Sequence, residues 1–271
     1  MEVDILEKER WMTKIGFVIT NHQSESIRPQ GRDLLHKCVH SLYHSCDHPF
    51  ELYVVDNGSE KKLDNTSSVK NHHHIIIEDQ SIGGLTYAWN VGIKAAYDDG
   101  CDLIFNLNDD LTINSTINDM IKIILDHDHN DVSIYGPLTN GDGGDHDKFQ
   151  TRNPLVAGDK LVETTVLKNG HIDMVGYPLN GFFYAFTRSV VDKFSNDNGF
   201  LFGEDMREAW GSQERELFIR EQPNGLRMFI VEHCTIEHSK LRHWKKARTE
   251  YKHPRRTLED RTDYNHPKRT C

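Results

Sequence analysis

The stretch FNLNDDLTI, residues 105–113, places two adjacent carboxylates directly after an apolar run that starts at Leu103. Uncompensated charge at the end of a buried strand is costly, so Asp109 and Asp110 need a partner. One possibility is that they cap the turn and the helix that follows, which is the commoner role of a loop aspartate. The other is that they hold Mg²⁺ or Mn²⁺, which binds one or two carboxylates together with substrate phosphates.

Strand-like and helix-like segments alternate on both sides of this stretch. Apolar runs predict strands at residues 14–20, 50–55, 73–77, 103–107 and 132–136. Amphipathic spacing predicts helices at residues 30–45, 84–96 and 115–126. This alternation indicates an α/β fold with a mainly parallel central sheet flanked by helices.

The pattern changes after residue 137. Residues 138–160 are rich in Gly and Asp and are predicted to form a surface loop, and Asn169-Gly170 predicts a hairpin turn. Buried-strand sequence returns at 181–186, followed by a predicted helix at 214–221 and a last strand at 227–232. We therefore expect one domain over residues 1–239, followed by a basic extension over residues 240–271.

Charge and composition limit the classes of function. The net charge is −10, but residues 240–271 carry +7 and the remainder −17, and an acidic body argues against nucleic-acid binding. No apolar run is long enough for a transmembrane segment, and no secretory signal is recognisable at the start of the sequence. The five dispersed cysteines favour reduced thiols and a cytoplasmic protein.

Polar residues follow three of the predicted strands: Thr20-Asn21, Asp56 and Asn108-Asp109-Asp110. Ligands of parallel α/β sheets bind beyond the carboxyl ends of the strands, so these residues are candidates for a binding site. The absence of GxGxxG after the first strand, and of GxxxxGK[ST] anywhere, disfavours a dinucleotide or P-loop site. Asp56 alone could accept hydrogen bonds from a ribose or a base, or cap its turn, which is the commoner role.

Six segments carry a family resemblance, and they occur in the expected order over roughly residues 14–240. They are KCVHSLYHSCDHPFELYVVDNGS (37–59), IGGLTYAWNVGIKAA (82–96), FNLNDDL (105–111), NGFFYAFTRSVVDKF (180–194) with NGFLFGEDM (198–206), WGSQERELFIR (210–220) and VEHCTIEH (231–238). Together they resemble the inverting, family-2-type glycosyltransferases with the GT-A fold. FNLNDDL resembles a variant of that family's DXD motif in which only the last Asp is retained.

The resemblance implies a donor site with a metal ion. Asp110 matches the retained Asp and, with His238, would bind Mn²⁺ or Mg²⁺; His233 is the competing histidine. Eight residues would hold the nucleoside diphosphate of the donor: Thr20, Asn21, Asp56, Gly83, Gly84, Asn90, Asn108 and Asp109. Asn108 stands where the strict motif has its first Asp.

The resemblance also implies an acceptor site. Glu214 matches the Asp that serves as general base and is one methylene longer, while Gln213 replaces the preceding Glu. Trp210 and Gly211 would border the acceptor. Taken alone, Glu214 is more typical of a glutamate on a solvated helix face that pairs with Arg215 or a lysine.

The implied activity is metal-dependent, inverting transfer of a sugar from a nucleotide-diphosphate donor, most commonly a UDP-sugar, to a hydroxyl of a glycan or glycoprotein acceptor. One alternative is a sugar-phosphate nucleotidyltransferase, whose Gly-rich signature after the first strand is missing from KIGFVITNHQSES. Another is a catalytically inactive GT-A-like domain that binds a sugar or nucleotide. The departures at Asn108, Gln213 and Glu214 leave that alternative open.

Overall fold

The computed structural model of the chain describes residues 13–25, 28–63, 72–78, 84–127, 132–139, 161–163, 179, 181–203 and 213–239. Within these ranges the strands are β1 (Ile15–Asn21), β2 (Phe50–Asn57), β3 (His72–Ile77), β4 (Leu103–Asn108), β5 (Leu111–Thr112), β6 (Ser133–Thr139), β7 (Leu161–Glu163), β8 (Phe183–Thr187) and β9 (Arg227–His238). The helices are α1 (Gly31–Ser45), α2 (Gly84–Asp98), α3 (Thr116–Asp126), α4 (Arg188–Phe194) and α5 (Gln213–Glu221), which continues into a 3₁₀ turn over Gln222–Asn224.

The strands form one sheet in the order β3-β2-β1-β4-β8-β6-β9-β5, and β7 pairs with β9. Neighbours are parallel from β3 to β4, whereas β8 runs antiparallel to both β4 and β6. Strand β9 is parallel to β6 and antiparallel to β5 and β7. The predicted α/β fold with a helix-flanked central sheet is confirmed, with a parallel half and a mixed half.

Both faces of the sheet are buried. Phe17 and Ile19 of β1 belong to one core, to which α1 and α3 contribute, whereas Val18 points into a second core with residues of α2, α4 and α5. Strands buried on both faces need apolar side chains at every position, which explains their continuous apolar runs.

Helix α2 packs very closely on the parallel strands. A Cβ atom added at Gly92 would lie 2.3 Å from Cγ1 of Val18 and 2.8 Å from Cγ2 of Val55. Since real Cβ contacts are never that short, glycine is required where the helix crosses β1 and β2. The contact fixes α2 over the strands whose carboxyl ends carry the candidate site.

The observed elements differ from the predicted ones in three places. Strand β6 continues to Thr139, β9 continues to His238, and the two-residue strand β5 was not predicted. The loop predicted over residues 138–160 is wrong for residues 138–139, which belong to β6. The rest of that loop, the Asn169-Gly170 hairpin turn and the basic extension lie outside the described residues. No helix in the described part of the chain is long and apolar enough to cross a membrane.

Candidate functional site

The carboxyl ends of β1, β2 and β4 lie side by side at one edge of the sheet. Thr20 pairs in register with Asn108, and Asn21 pairs with Asp56. The chain turns at Asp109 and Asp110 directly after β4 and then pairs through β5 with the end of β9, where Leu111 lies opposite His238. The topology therefore brings His238, far away in sequence, to the two aspartates.

Asp110 and His238 meet in a partly enclosed position. Nε2 of His238 lies 3.4 Å from Oδ1 of Asp110, whose side chain is only 4% exposed. The imidazole stacks on Phe182, with ring centroids 4.9 Å apart. His233, the competing histidine, is an exposed residue of β9. Of the two histidines, His238 is therefore the one that lies beside Asp110.

Asp109 is in a different environment from its neighbour. Its carboxylate pairs with Arg28, whose Nη1 lies 2.8 Å from Oδ2 while Nη2 contacts Oδ1, and it also accepts a hydrogen bond from Nδ2 of Asn21. Burial raises the pKa of Asp109, and the Arg28 guanidinium acts in the opposite direction. Asp109 is thus already bound by protein donors, as a supporting residue would be.

One carboxylate oxygen of Asp110 has no hydrogen bond among the described residues. Oδ1 of Asp110 is buried and accepts no hydrogen bond from the described residues, which is costly unless a ligand binds it. No group of three or more His, Cys, Asp or Glu side chains suited to a metal is present in the described part of the chain. One carboxylate and one imidazole fit a cation that takes its other ligands from water and substrate phosphates.

Strand β1 also carries buried polar atoms that have no hydrogen bond from the described residues. Oγ1 of Thr20 and Oδ1 of Asn21 are buried without a hydrogen-bond partner among the described residues. Both follow the apolar part of β1, at the same edge as Asp110. Their assignment to the nucleotide stays a prediction.

Asp56 has a structural task at this edge. The side chain is buried, and its two carboxylate oxygens accept hydrogen bonds from the backbone N–H groups of Ser59 (3.0 Å) and Leu63 (2.9 Å). These bonds close the loop after β2, which is the turn-capping role. Each oxygen retains a second lone pair, and contact with a nucleotide stays a prediction.

The loops after β1 and β2 are tied to each other. Oγ of Ser24 donates to Glu60 (2.6 Å), and the backbone N–H of Gln23 donates to Oγ of Ser59 (2.9 Å). The backbone N–H of Glu60 in turn donates to the carbonyl of Gln23 (3.0 Å). The two loops therefore form one wall at the carboxyl edge of the sheet.

Asn90 connects α2 to the backbone of Phe202. Its side-chain amide donates to the carbonyl of Phe202 and accepts from the N–H of the same residue, both at 2.9 Å. Both ends of the amide are thereby used inside the core. Gly84 lies at the first position of α2 with a φ of +54°, a conformation that glycine adopts readily.

The acceptor side of the site lies mostly outside the described residues. Trp210 and Gly211 fall there, as does the side chain of Glu214, whose backbone lies in the first turn of α5. Gly83, which is predicted to contact the nucleotide, also lies outside the described residues. Leu217 and Phe218 of that helix are buried in the same core as α2. The roles predicted for Glu214, Trp210 and Gly211 stay predictions.

Sequence reasoning missed Arg28. It lies in the connection between β1 and α1, and its partner Asp109 is 81 positions further along the chain. A loop arginine is usually solvated, and no motif around it indicates a partner. Only the adjacency of β1 and β4 brings the two charges together.

The family comparison decides the classification of the chain. The family model described as glycosyl transferase family 2 matches residues 18–198, more than half of the sequence. The chain belongs to glycosyl transferase family 2. The family resemblance is thereby confirmed, although the segments at 210–220 and 231–238 lie beyond the matched residues. No curated protein gives a significant match.

Solved structures of S. aureus TarS share the fold of this family 2 member. For TarS 1-349 in complex with UDP-GlcNAc the TM-score is 0.57 at 16% identity, covering 86% of this chain and 61% of that one. A longer TarS structure gives a TM-score of 0.51 at 17% identity, and the match covers 84% of this chain and 37% of that one. The UDP complex of TarS 1-349 gives 0.50 at 19% identity, over 82% of this chain and 60% of that one.

These likenesses support the GT-A fold and no more than the fold. The chain spans about three fifths of TarS 1-349 and a smaller share of the longer TarS structure. The expected GT-A architecture is therefore confirmed, whereas the candidate site at the carboxyl edge of its sheet stays a prediction.

Proposed function

We propose that this chain is a glycosyltransferase that moves a sugar from a nucleotide diphosphate to a hydroxyl group of an acceptor, with inversion at the anomeric carbon. The observation that carries the proposal is the buried Oδ1 of Asp110, which accepts no hydrogen bond from the described residues and lies 3.4 Å from Nε2 of His238 in a family 2 fold. A carboxylate and an imidazole that meet at the carboxyl edge of an α/β sheet are suited to hold a cation together with a ligand.

The proposed donor is a UDP-sugar. Two of the TarS structures contain UDP and UDP-GlcNAc, which supports this class of donor without showing it for the present chain. In our proposal, the ends of β1 and β2 receive the nucleoside, and the unpartnered oxygens of Thr20 and Asn21 accept its donor groups.

Asp110 and His238 are the residues that would hold Mn²⁺ or Mg²⁺. A divalent cation bound there would neutralise the negative charge that develops on the departing diphosphate. Asp110 supplies the carboxylate, and Phe182 holds the imidazole of His238 in place by stacking. Asp109 supports the turn through its pairing with Arg28 and Asn21.

In the proposed reaction, Glu214 accepts the proton of the acceptor hydroxyl. The acceptor oxygen then forms a bond to the anomeric carbon, while the bond from that carbon to the diphosphate oxygen breaks on the opposite face. The proton stays on Glu214, and the electron pair leaves with the diphosphate. A positioned general base contributes about 10² to 10⁴ in rate. The proposed acceptor is a glycan or glycoprotein, bordered by Trp210 and Gly211.

Donor hydrolysis tests this proposal without knowledge of the acceptor. The full chain is incubated with Mn²⁺ and a panel of UDP-, GDP-, CDP- and TDP-sugars, and the free nucleoside diphosphate is measured by chromatography. We expect slow release from UDP-sugars, abolished by EDTA and by Asp110→Asn. No hydrolysis with any donor, together with no nucleotide-dependent thermal shift, would contradict the proposal. Nucleotide binding without hydrolysis or transfer would favour an inactive binding domain.

A further inference from the structure

Arg28 lies against both aspartates of the turn after β4. Its guanidinium pairs with both oxygens of Asp109, and its Nη2 also lies 4.0 Å from Oδ2 of Asp110. The side chains of Arg28, Asp109 and Asp110 are 13%, 2% and 4% exposed, respectively. One cationic and two anionic side chains therefore meet at this turn, and all three are largely removed from water.

The backbone holds Arg28 in this position. The N–H of Arg28 donates to the carbonyl of Ser24 at 2.8 Å, and the N–H of Gly31 donates to the carbonyl of Arg28 at 3.0 Å. The guanidinium thus approaches Asp109 from a connection that is fixed at both ends. A two-pronged arginine–carboxylate contact of this kind is both strong and directional.

We propose that Arg28 is a positioning residue that sets the charge of the donor site. By neutralising Asp109, it leaves Asp110 as the net negative charge that faces the cation. The cation then binds tightly only when a nucleotide diphosphate supplies further negative charge. This inference rests on the proposed function and adds a specific role to a residue outside the six family segments.

The net charge of the site affects the binding of the divalent cation and of the nucleoside diphosphate in opposite directions. Ion affinity rises with the number of charged ligands, so two unpaired carboxylates would hold a divalent cation without nucleotide. The same two charges would repel the diphosphate when no cation is present. With one net charge, each ligand binds weakly alone and strengthens the binding of the other, and this coupling is reciprocal.

The test measures each ligand without the other on the full chain. Mn²⁺ affinity is followed by the electron paramagnetic resonance signal of the free ion, and UDP affinity in EDTA is followed by calorimetry. Arg28→Met should raise Mn²⁺ affinity on the order of tenfold and lower metal-free UDP affinity by a similar factor. Asp109→Asn should change both affinities in the opposite directions. A purely structural role for Arg28 would weaken both ligands, and that result would overturn the inference.

The double variant Arg28→Met/Asp109→Asn restores the net charge of the site. It should bind Mn²⁺ within about threefold of the unmodified chain, because the two changes cancel in charge. This variant removes both charges of the Arg28–Asp109 pair, so neither is left buried without its partner, and it provides the test if Arg28→Met alone fails to fold. A double variant whose Mn²⁺ affinity stays raised, or is lost, overturns the inference.

Two further variants serve as controls. Arg32→Met removes the same charge from the first turn of α1, where Arg32 bonds to the carbonyl of Lys61, and should leave both affinities unchanged. Asp110→Asn reports any Mn²⁺ bound elsewhere on the chain. If the unmodified chain binds no UDP even with Mn²⁺, the proposed function fails. If it binds UDP with Mn²⁺ but Arg28→Met behaves like Arg32→Met, only the role of Arg28 fails.

Discussion

Two neighbouring aspartates follow β4, and their surroundings give them different tasks. Asp109 is bound by Arg28 and Asn21, whereas Oδ1 of Asp110 has no hydrogen-bond partner in the described region and lies beside His238. A carboxylate that is already satisfied by protein donors is a poor metal ligand. We therefore propose a division in which Asp110 binds the cation and Asp109 supports the turn.

This division predicts unequal effects of substitution. Asp110→Asn should lower metal-dependent donor turnover by about 100-fold or more, since it removes a direct ligand. Asp109→Asn should lower it about tenfold, because it alters the charge and orientation of the turn. Turnover at saturating Mn²⁺, measured as release of nucleoside diphosphate, compares the two. Equal losses in the two variants would contradict the division.

Glu214 carries the proposed proton transfer. Glu214→Gln keeps the size of the side chain but cannot accept a proton, so sugar transfer should fall by about 10² to 10⁴ while UDP affinity stays unchanged. Glu214→Asp introduces the aspartate that the family has at this position and should retain most of the activity. Pre-steady-state transfer and UDP calorimetry separate chemistry from binding. A loss of UDP affinity in Glu214→Gln would place this residue on the donor side instead.

His238 could have been distinguished from His233 by sequence pattern alone. In the last part of β9, Cys234 and Ile236 are buried, whereas His233, Thr235 and Glu237 are exposed. Side chains of a strand alternate between faces, so His238 shares the face of Cys234 and Ile236. The segment HCTIEH thus carried a period of two that predicts both the longer strand and the inward-facing histidine.

Most helices and strands were predictable because long apolar runs and amphipathic spacing are strong local signals. The predicted strand at 14–20 and helix at 30–45 agree with β1 and α1 to within one residue at each end. Strand β5 was not predictable, since two residues carry no period. Its pairing with β9 depends on contacts between distant parts of the chain, and so does the pairing of Arg28 with Asp109.

The tie between α2 and the segment around Phe202 gives a prediction for Asn90. Asn90→Ala leaves a buried N–H and a buried C=O of Phe202 without partners, so the free energy of unfolding should fall by about 2–4 kcal/mol. Lys94→Ala, on the solvated side of the same helix, should cost less than about 0.5 kcal/mol. Urea denaturation measures both.

UDP affinity of the Asn90→Ala variant decides between a structural and a nucleotide-binding role. The affinity should be unchanged under conditions where the variant is folded, because both ends of the amide are used inside the core. A fall in UDP affinity with unchanged stability would instead favour the direct nucleotide contact that the family resemblance implies.

Charge is unevenly distributed over the whole molecule. Residues 240–271 carry +7 and the rest of the chain −17. Opposite net charges attract at low salt, and a basic segment can also contact phosphates. We therefore expect deletion of residues 241–271 to weaken UDP-sugar binding at low ionic strength. Unchanged affinity and turnover after the deletion would show that the segment has no part in donor binding.

We propose that the topology of the sheet assembles a nucleotide-sugar site from the ends of β1, β4 and β9. A crystal structure of the full chain with UDP and Mn²⁺ would test this site, because the anomalous signal locates the ion. We expect one Mn²⁺ in contact with the Asp110 carboxylate, the His238 imidazole and the diphosphate. An ion bound away from Asp110 and His238, or UDP bound away from the ends of β1 and β4, would contradict it.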